Sequence, residues 1–350
     1  MFTLGHERSP AVSLFPVGGP DGRRHNDATV NGRRETPRMT SDSPLRRRGL
    51  FKAGLALSTA VLAPAVTAAR ATAAPAATGA PLASGARAAV DELRALEERY
   101  AARLGLYARN ARTGQTLSHR AGERFAMCST FKAFAAAAVL RDHDRCAPLD
   151  KVVHYPPADV LDNSPITKDH VDSGMTVGEL CAAAIQYSDN TAGNLLLREL
   201  GGPAGLTRFF RSLGDRVGRL DRWEPDLNTA VPGDPRDTTT PEAIATSLER
   251  VTLGRALTGG DREQLVTWLK GNTTSAERFR RGLPKGWVVG DKTGTGDYAS
   301  ANDIGVAWTT RGTPVVLAVL TSKPAKDAAV DNALVAEAAG LVARTLAPGE

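Results

Sequence analysis

Three apolar runs arrive together near the end of this chain, Gly286 to Asp291, Ile304 to Thr309 and Val315 to Thr321, and a similar run, Leu104 to Arg109, stands far ahead of them. Short apolar runs bounded by Gly, Pro or Asp are strand signals. An isolated hairpin is marginal in water, so the early strand is expected to return beside the late ones in one sheet. The late runs follow each other through short links, which makes the sheet mostly antiparallel. Residues 86–103 (Val90, Leu93, Leu96, Tyr100) and about 326–346 read as helices that pack on it. Between Arg112-Thr113-Gly114, a turn, and the late strands lies a helix-like middle, about 129–270, with runs at 129–141, 176–187, 191–200 and 241–256. The pattern is α+β, a sheet with terminal helices plus a separate helical lobe, and it shows no internal repeat.

The net charge of +6 invites a nucleic-acid reading, but residues 1–73 hold 11 Lys/Arg against 5 Asp/Glu, so the whole excess lies there. The body is neutral and has no polybasic tract, which argues against nucleic acid as a partner. The leader has an export form: Arg46-Arg47-Arg48-Gly49-Leu50-Phe51-Lys52, an apolar stretch to about Val66, then Ala71-Thr72-Ala73. A charged region, a short apolar region and an A-x-A site make a cleaved signal, and the paired arginines resemble a twin-arginine signal read by the Tat machinery. Met39 is an alternative start, with residues 1–38 outside the natural precursor. Residues 74–85 read as a flexible lead-in and 86–350 as the functional domain, secreted and without a membrane anchor, since the apolar stretch is too short and Ala-rich to span a bilayer. With no heptads or repeats, a monomer is expected.

Cys128, Cys146 and Cys181 are an odd set, so at least one thiol is unpaired. No Cys-x-x-Cys or Cys/His ligand spacing occurs, and neither a metal nor another cofactor is expected. Cys128 is read as a packing residue.

Ser129 stands at the start of the apolar run Phe131 to Leu140, and Lys132 follows three residues later. On a helix, positions i and i+3 share a face, so the amine lies beside the hydroxyl, and free N–H groups of a helix start favour developing negative charge. Alone, the pair equally suits a Ser cap beside a solvated Lys. Ser188-Asp189-Asn190, between two helix-like runs, is by itself an ordinary cap. Arg222-Trp223-Glu224-Pro225-Asp226-Leu227-Asn228 opens a loop that continues to Asp237 without periodicity of its own, and its Trp, Leu and opposed charges favour order. Lys292-Thr293-Gly294-Thr295-Gly296 ends a strand, preceded by Thr273, Thr274 and Arg278.

In this order, Ser129-x-x-Lys132, Ser188-Asp189-Asn190 and Lys292-Thr293-Gly294 resemble the motif set of class A β-lactamases and penicillin-binding proteins, and Arg222–Asn228 resembles the class A omega loop. The resemblance covers most of 90–346. It implies an α+β fold of the α/β sandwich type: a mostly antiparallel five-stranded sheet, N- and C-terminal helices on it, a helical lobe at about 128–270, and the active site at their interface. It further implies a small-molecule β-lactam substrate opened by Ser129. The backbone N–H groups of Ser129 and Thr295 are then the oxyanion hole, and Ser188 is the relay to the leaving nitrogen. Asn190 binds the acyl-side amide, and Glu224 with Asn228 holds the deacylating water. Lys132 or Glu224 is the acylation base. Lys132 is expected to titrate low through burial and the like charge of Lys292. Lys292, Thr293, Gly294 and Thr295 receive the substrate carboxylate. Ala301 stands where many relatives carry an Arg, so Arg278 is assigned the second carboxylate contact, the alternative being an exposed Arg in Arg278-Phe279-Arg280-Arg281. Arg222 and Asp237 close the loop. Asn163 replaces a common aromatic wall. Gly296 and Ala136 stand where relatives place the partners of Cys128 and Cys181, so no disulfide is expected at either. A DD-peptidase and a penicillin-binding sensor remain alternatives; both lack the Glu224 loop.

Overall fold

A computed structural model describes residues 80–143 and 148–350. The leader and its signal, the alternative start at Met39, residues 74–79 and Cys146 lie outside the described residues. Helix α1 spans Ala80–Tyr100 and so begins within the expected lead-in; Pro81 falls in its first turn, where a missing N–H costs nothing. Strands β1 (Arg103–Asn110) and β2 (Thr116–His119) form a hairpin. Two-residue β3 (Phe125–Ala126), α2 (Phe131–Asp142) and β4 (Val152–Val153) follow. Next come β5 (Met175–Thr176), α3 (Val177–Gln186), α4 (Asn190–Glu199), α5 (Pro203–Ser212), β6 (Thr238–Thr239), α6 (Pro241–Thr252) and α7 (Gly259–Lys270). The chain ends through α8 (Phe279–Gly282), β7 (Val288–Gly296), β8 (Ser300–Trp308), β9 (Pro314–Ser322) and α9 (Asn332–Leu346).

The main sheet has five strands in the order β2-β1-β9-β8-β7, all neighbours antiparallel. Its edge strand β2 is the one that apolar runs do not reveal, because Thr116, Ser118 and His119 leave Leu117 as its sole buried apolar residue. Strand residues alternate between faces, and β9 uses both. Val316, Ala318 and Leu320 enter the core shared with the helical lobe, whereas Val315, Leu317 and Val319 enter the core shared with α1 and α9. Covered on both sides, β9 reads as an unbroken apolar run.

The lobe is built around α2, buried from Phe131 through Leu140 and apolar on all sides, as suits a helix enclosed by others. Helix α3 starts with a reciprocal capping box between Thr176 and Glu179, which fixes the expected boundary at 176. Helices α5 and α7 were not separate expectations. No described helix is long and apolar enough to cross a membrane.

Candidate active site

The nucleophile candidate lies in the 3₁₀ turn Cys128–Thr130 that runs into α2. Cys128 has φ +47° there, a conformation that is strained for a side chain. Lys132, one turn on, is fully buried, and its stem passes against Gly193 of α4, where an added Cβ would stand 2.8 Å from Lys132 Cε. Its ammonium donates to Ser188 O and Asn190 Oδ1, both at 2.7 Å. Its third hydrogen faces Ser129 Oγ at 3.1 Å and Glu224 Oε1 at 3.0 Å. Ser129 Oγ in turn donates to Glu224 Oε1 at 3.2 Å. Three hydrogens on nitrogen are thus engaged, and the proton of Ser129 points at a carboxylate.

Glu224 is carried by the loop Arg222–Asp237. Arg222 Nε donates to Asp237 Oδ2 at 2.6 Å, and Asp237 Oδ1 accepts the N–H groups of Asp221 and Arg222, so the expected closing ion pair forms. Buried Leu227 pins the middle of the loop, and Asn228 Nδ2 donates to Glu224 Oε2. Asn228 Oδ1 is a buried acceptor with no protein donor. Asn194 clamps the Glu224 peptide from α4, its Oδ1 accepting Glu224 N–H and its Nδ2 donating to Glu224 O, each at 3.0 Å. Asn194 escaped the motif reading, although it stands one helical turn after Asn190.

In the turn Ser188-Asp189-Asn190 both readings hold. Asp189 is the α4 cap and also accepts the N–H groups of Ile166 and Thr167, while Ser188 has φ +58° and turns its hydroxyl toward Lys292. Asn163, in place of an aromatic wall, supports this turn: its Nδ2 donates to Ser188 O and its carbonyl accepts Asn190 N–H. Lys292 Nζ donates to Ser188 Oγ at 3.0 Å and to Thr293 O at 2.8 Å. Since Ser188 Oγ accepts from Lys292, its own proton is available to the cleft.

Strand β7 brings the remaining residues. It is an edge strand, paired only with β8. Ala301, opposite Thr295, turns its N–H to Thr321 Oγ1 of β9 at 3.0 Å, so this pair exchanges no bonds and the Thr295 N–H points away from β8. Gly294 lets β7 approach the nucleophile turn; a Cβ there would stand 3.2 Å from Ser129 N. Arg278 is buried, not exposed: it donates to Asn332 Oδ1, to the carbonyls of Gly294 and Asn302, and to Thr295 Oγ1 at 2.8 Å. One Nη2 hydrogen remains for the cleft that Arg278 helps to line. That cleft, about 370 Å³, is lined by Ser129, Ser188, Asn190, Asn228, Thr293, Gly294 and Thr295, with Tyr187 and Thr274 added, and Lys132, Lys292 and Glu224 lie buried beneath it.

Burial lowers the Lys132 pKa, while Glu224 pulls the other way. The like-charge effect expected on Lys132 falls on its neighbour: Lys292 is held well below the ordinary lysine value by burial first and then by the charge of Lys132. Burial pushes the Cys128 thiol up to about 12 and raises Cys181 as well, and both are free, as expected for them. Under β7, burial raises Asp291 and, further, Asp303, where the charge of Asp291 adds to it.

Residues 88–346 match the β-lactamase enzyme family. A β-lactamase of Streptomyces lavendulae is 55% identical over 260 residues, 73% of this chain and 85% of that protein. The crystal structure of a β-lactamase from Desulfarculus baarsii superposes with a TM-score of 0.74 at 53% identity, covering 75% of this chain and 98% of the other. The reconstructed last common ancestor of Gram-negative class A β-lactamases gives 0.71 at 53% identity, covering 73% and 98%. Sequence, fold and the gathered motif residues agree, and the chain belongs to the serine β-lactamases of class A.

Proposed function

We propose that the chain hydrolyses β-lactams through an acyl-enzyme on Ser129 and a water activated by Glu224. The observation that carries this reading is the contact of Ser129 Oγ with both Lys132 Nζ and Glu224 Oε1, at 3.1 and 3.2 Å. Ser129 attacks the lactam carbonyl and passes its proton to Glu224, the acceptor it already faces, while Lys132 stabilises the alkoxide. The N–H groups of Ser129 and Thr295 take the oxyanion; the outward turn of Thr295 N–H supports this, and one such donor typically lowers the barrier by about 3 kcal/mol. Ser188, backed by Lys292, gives a proton to the leaving nitrogen. It is reprotonated by the one that Glu224 took from Ser129, relayed through Lys132, so that Glu224 is a carboxylate again before the water attacks. Asn190 binds the acyl-side amide, and Lys292, Thr293, Gly294, Thr295 and the spare Nη2 hydrogen of Arg278 receive the carboxylate. The attacking water donates to Glu224 and to Asn228 Oδ1, whose missing protein donor supports that place for it.

The substrate is reached outside the cytoplasm: residues 1–73 act as a Tat-dependent signal and the mature chain is a monomer, which N-terminal sequencing and light scattering of secreted protein test. The mechanism is tested with Ser129→Ala, for which no covalent penicillin adduct and no turnover are expected. An adduct on that variant, or turnover by it, contradicts the assignment.

A further inference from the structure

Thr274 lies in the turn between α7 and β7, is exposed, and lines the cleft beside Thr293, which is nearly buried. Its neighbour Asn272 is buried and cannot turn its amide over. Asn272 Nδ2 donates to Asp291 Oδ2 at 3.1 Å, and the other oxygen of Asp291 is held by Arg280 at 3.0 Å. Asn272 Oδ1 therefore faces Thr274 as an acceptor, and it takes both the Thr274 N–H at 3.0 Å and the Thr274 hydroxyl at 2.8 Å. Thr274 Oγ1 and Thr293 Oγ1 stand 2.5 Å apart. A hydroxyl has one proton, and that of Thr274 is on Asn272. The proton between the two threonines is therefore that of Thr293, and the hydroxyl chain runs Thr293 to Thr274 to Asn272.

This order leaves an exposed oxygen whose proton is held by a dispensable acceptor. Asn272 Oδ1 stays satisfied by the backbone N–H if the hydroxyl leaves it. The geometry points to Thr274 as a further substrate-binding residue: on entry of the β-lactam carboxylate its hydroxyl rotates from Asn272 to a carboxylate oxygen. Thr293, whose one hydroxyl proton stays on Thr274 Oγ1, serves the carboxylate through Thr274 and not by a hydroxyl bond of its own. The exchange replaces a neutral acceptor by a charged one, which strengthens the bond, and the Thr293 donor polarises it further. No motif marks Thr274, because its role arises from a turn folded against β7. The inference rests on the reaction proposed above for the identity of the anion, but not for the anion site itself.

The test uses wild type, Thr274→Val and Thr274→Ser with benzylpenicillin, and inorganic sulfate as a probe that needs no turnover. Thr274→Val keeps the backbone bond to Asn272 but removes the acceptor of the Thr293 hydroxyl, so Thr293→Val is measured beside it. A Thr274 that only positions Thr293 gives both variants the same KM, whereas direct contact gives the larger rise to Thr274→Val. The expected result is a KM about tenfold higher for Thr274→Val with kcat within about twofold, and values near wild type for Thr274→Ser. Protection of the resting protein against heat by sulfate weakens in Thr274→Val and is restored in Thr274→Ser. An unchanged KM, a KM equal to that of Thr293→Val, a loss confined to kcat, or equal sulfate protection in wild type and both Thr274 variants overturns the assignment. If none of the proteins turns over penicillin but sulfate protection still follows the hydroxyl, the hydrolytic reading fails and the anion role of Thr274 stands.

Discussion

β7 and β9 are both nine residues long and belong to one sheet, yet they bury opposite chemistry. β9 is central and encloses Val, Ala and Leu between two cores, so each residue stabilises as it leaves water, at about 25 cal/mol per Å² of apolar surface. β7 is at the edge and buries Asp291, Lys292 and Thr293. Burying charge costs free energy, offset here by Arg280 and Asn272 on Asp291 and by Ser188 and Thr293 O on Lys292. The edge position also leaves main-chain groups of β7 unpaired on its outer side, where a substrate can use them. One strand holds the sheet together, and the other spends stability on a site.

That contrast can be broken by a pair of substitutions. Leu317→Ala on β9 is expected to lower unfolding stability by about 3 kcal/mol, read from the urea midpoint, with kcat and KM of the folded protein unchanged. Lys292→Met on β7 is expected to leave stability within about 1 kcal/mol of wild type, because an apolar group replaces a desolvated cation. Its KM for benzylpenicillin should rise on the order of 100-fold through loss of charge-assisted bonds. If Lys292→Met unfolds as readily as Leu317→Ala, β7 is a stabilising strand and the contrast fails.

The pH dependence sharpens the comparison. An anionic substrate favours the ammonium form of Lys292, whose pKa lies well below the ordinary lysine value through burial and the charge of Lys132. KM is therefore expected to be flat at low pH and to rise by about tenfold per unit once pH exceeds that lowered value, still short of the ordinary lysine range. The profile of Lys292→Met should lack this rise; a rise that survives the substitution assigns it to another group. The smallest effect belongs to Cys128, which opens the turn that carries Ser129 and packs against Gly294 and Gly296 of β7. With its thiol at about 12, iodoacetamide at pH 8 should leave native protein unalkylated at Cys128 and its activity intact.

How much of this was legible in the sequence follows the same division. β9 could be read from apolar residues alone, and so could β1, α2 and the antiparallel order of the last three strands. The first half of β8, Ser300 to Asp303, was missed because three of its four buried residues, Ser300, Asn302 and Asp303, are polar, and β2 because it buries a single leucine. Ser129, Lys132, Ser188, Asn190, Glu224 and Lys292 were legible as motifs, since local spacing carries them. Asn194 was not, because its part is a contact across the fold, the clamp on the peptide of Glu224, and Tyr187 lines the cleft beside Ser188 without belonging to the motif. Asn163 and Thr274 were named from the sequence, but their contacts were not legible there. Arg278 was found, but its burial was not foreseen: charged runs usually face water, and here β7, β8 and Asn332 supply acceptors for it.

The central claim is that Glu224, held by the loop and Asn194, releases the acyl group from Ser129. Its most direct test is a mass-resolved time course of the protein with excess benzylpenicillin, wild type beside Glu224→Gln. Wild type is expected to turn over many equivalents with little standing adduct. Glu224→Gln is expected to slow on the order of 10³-fold and to accumulate a covalent adduct on the Ser129 peptide. A wild type that stalls after one equivalent, or a variant that clears its adduct at the wild-type rate, contradicts the account.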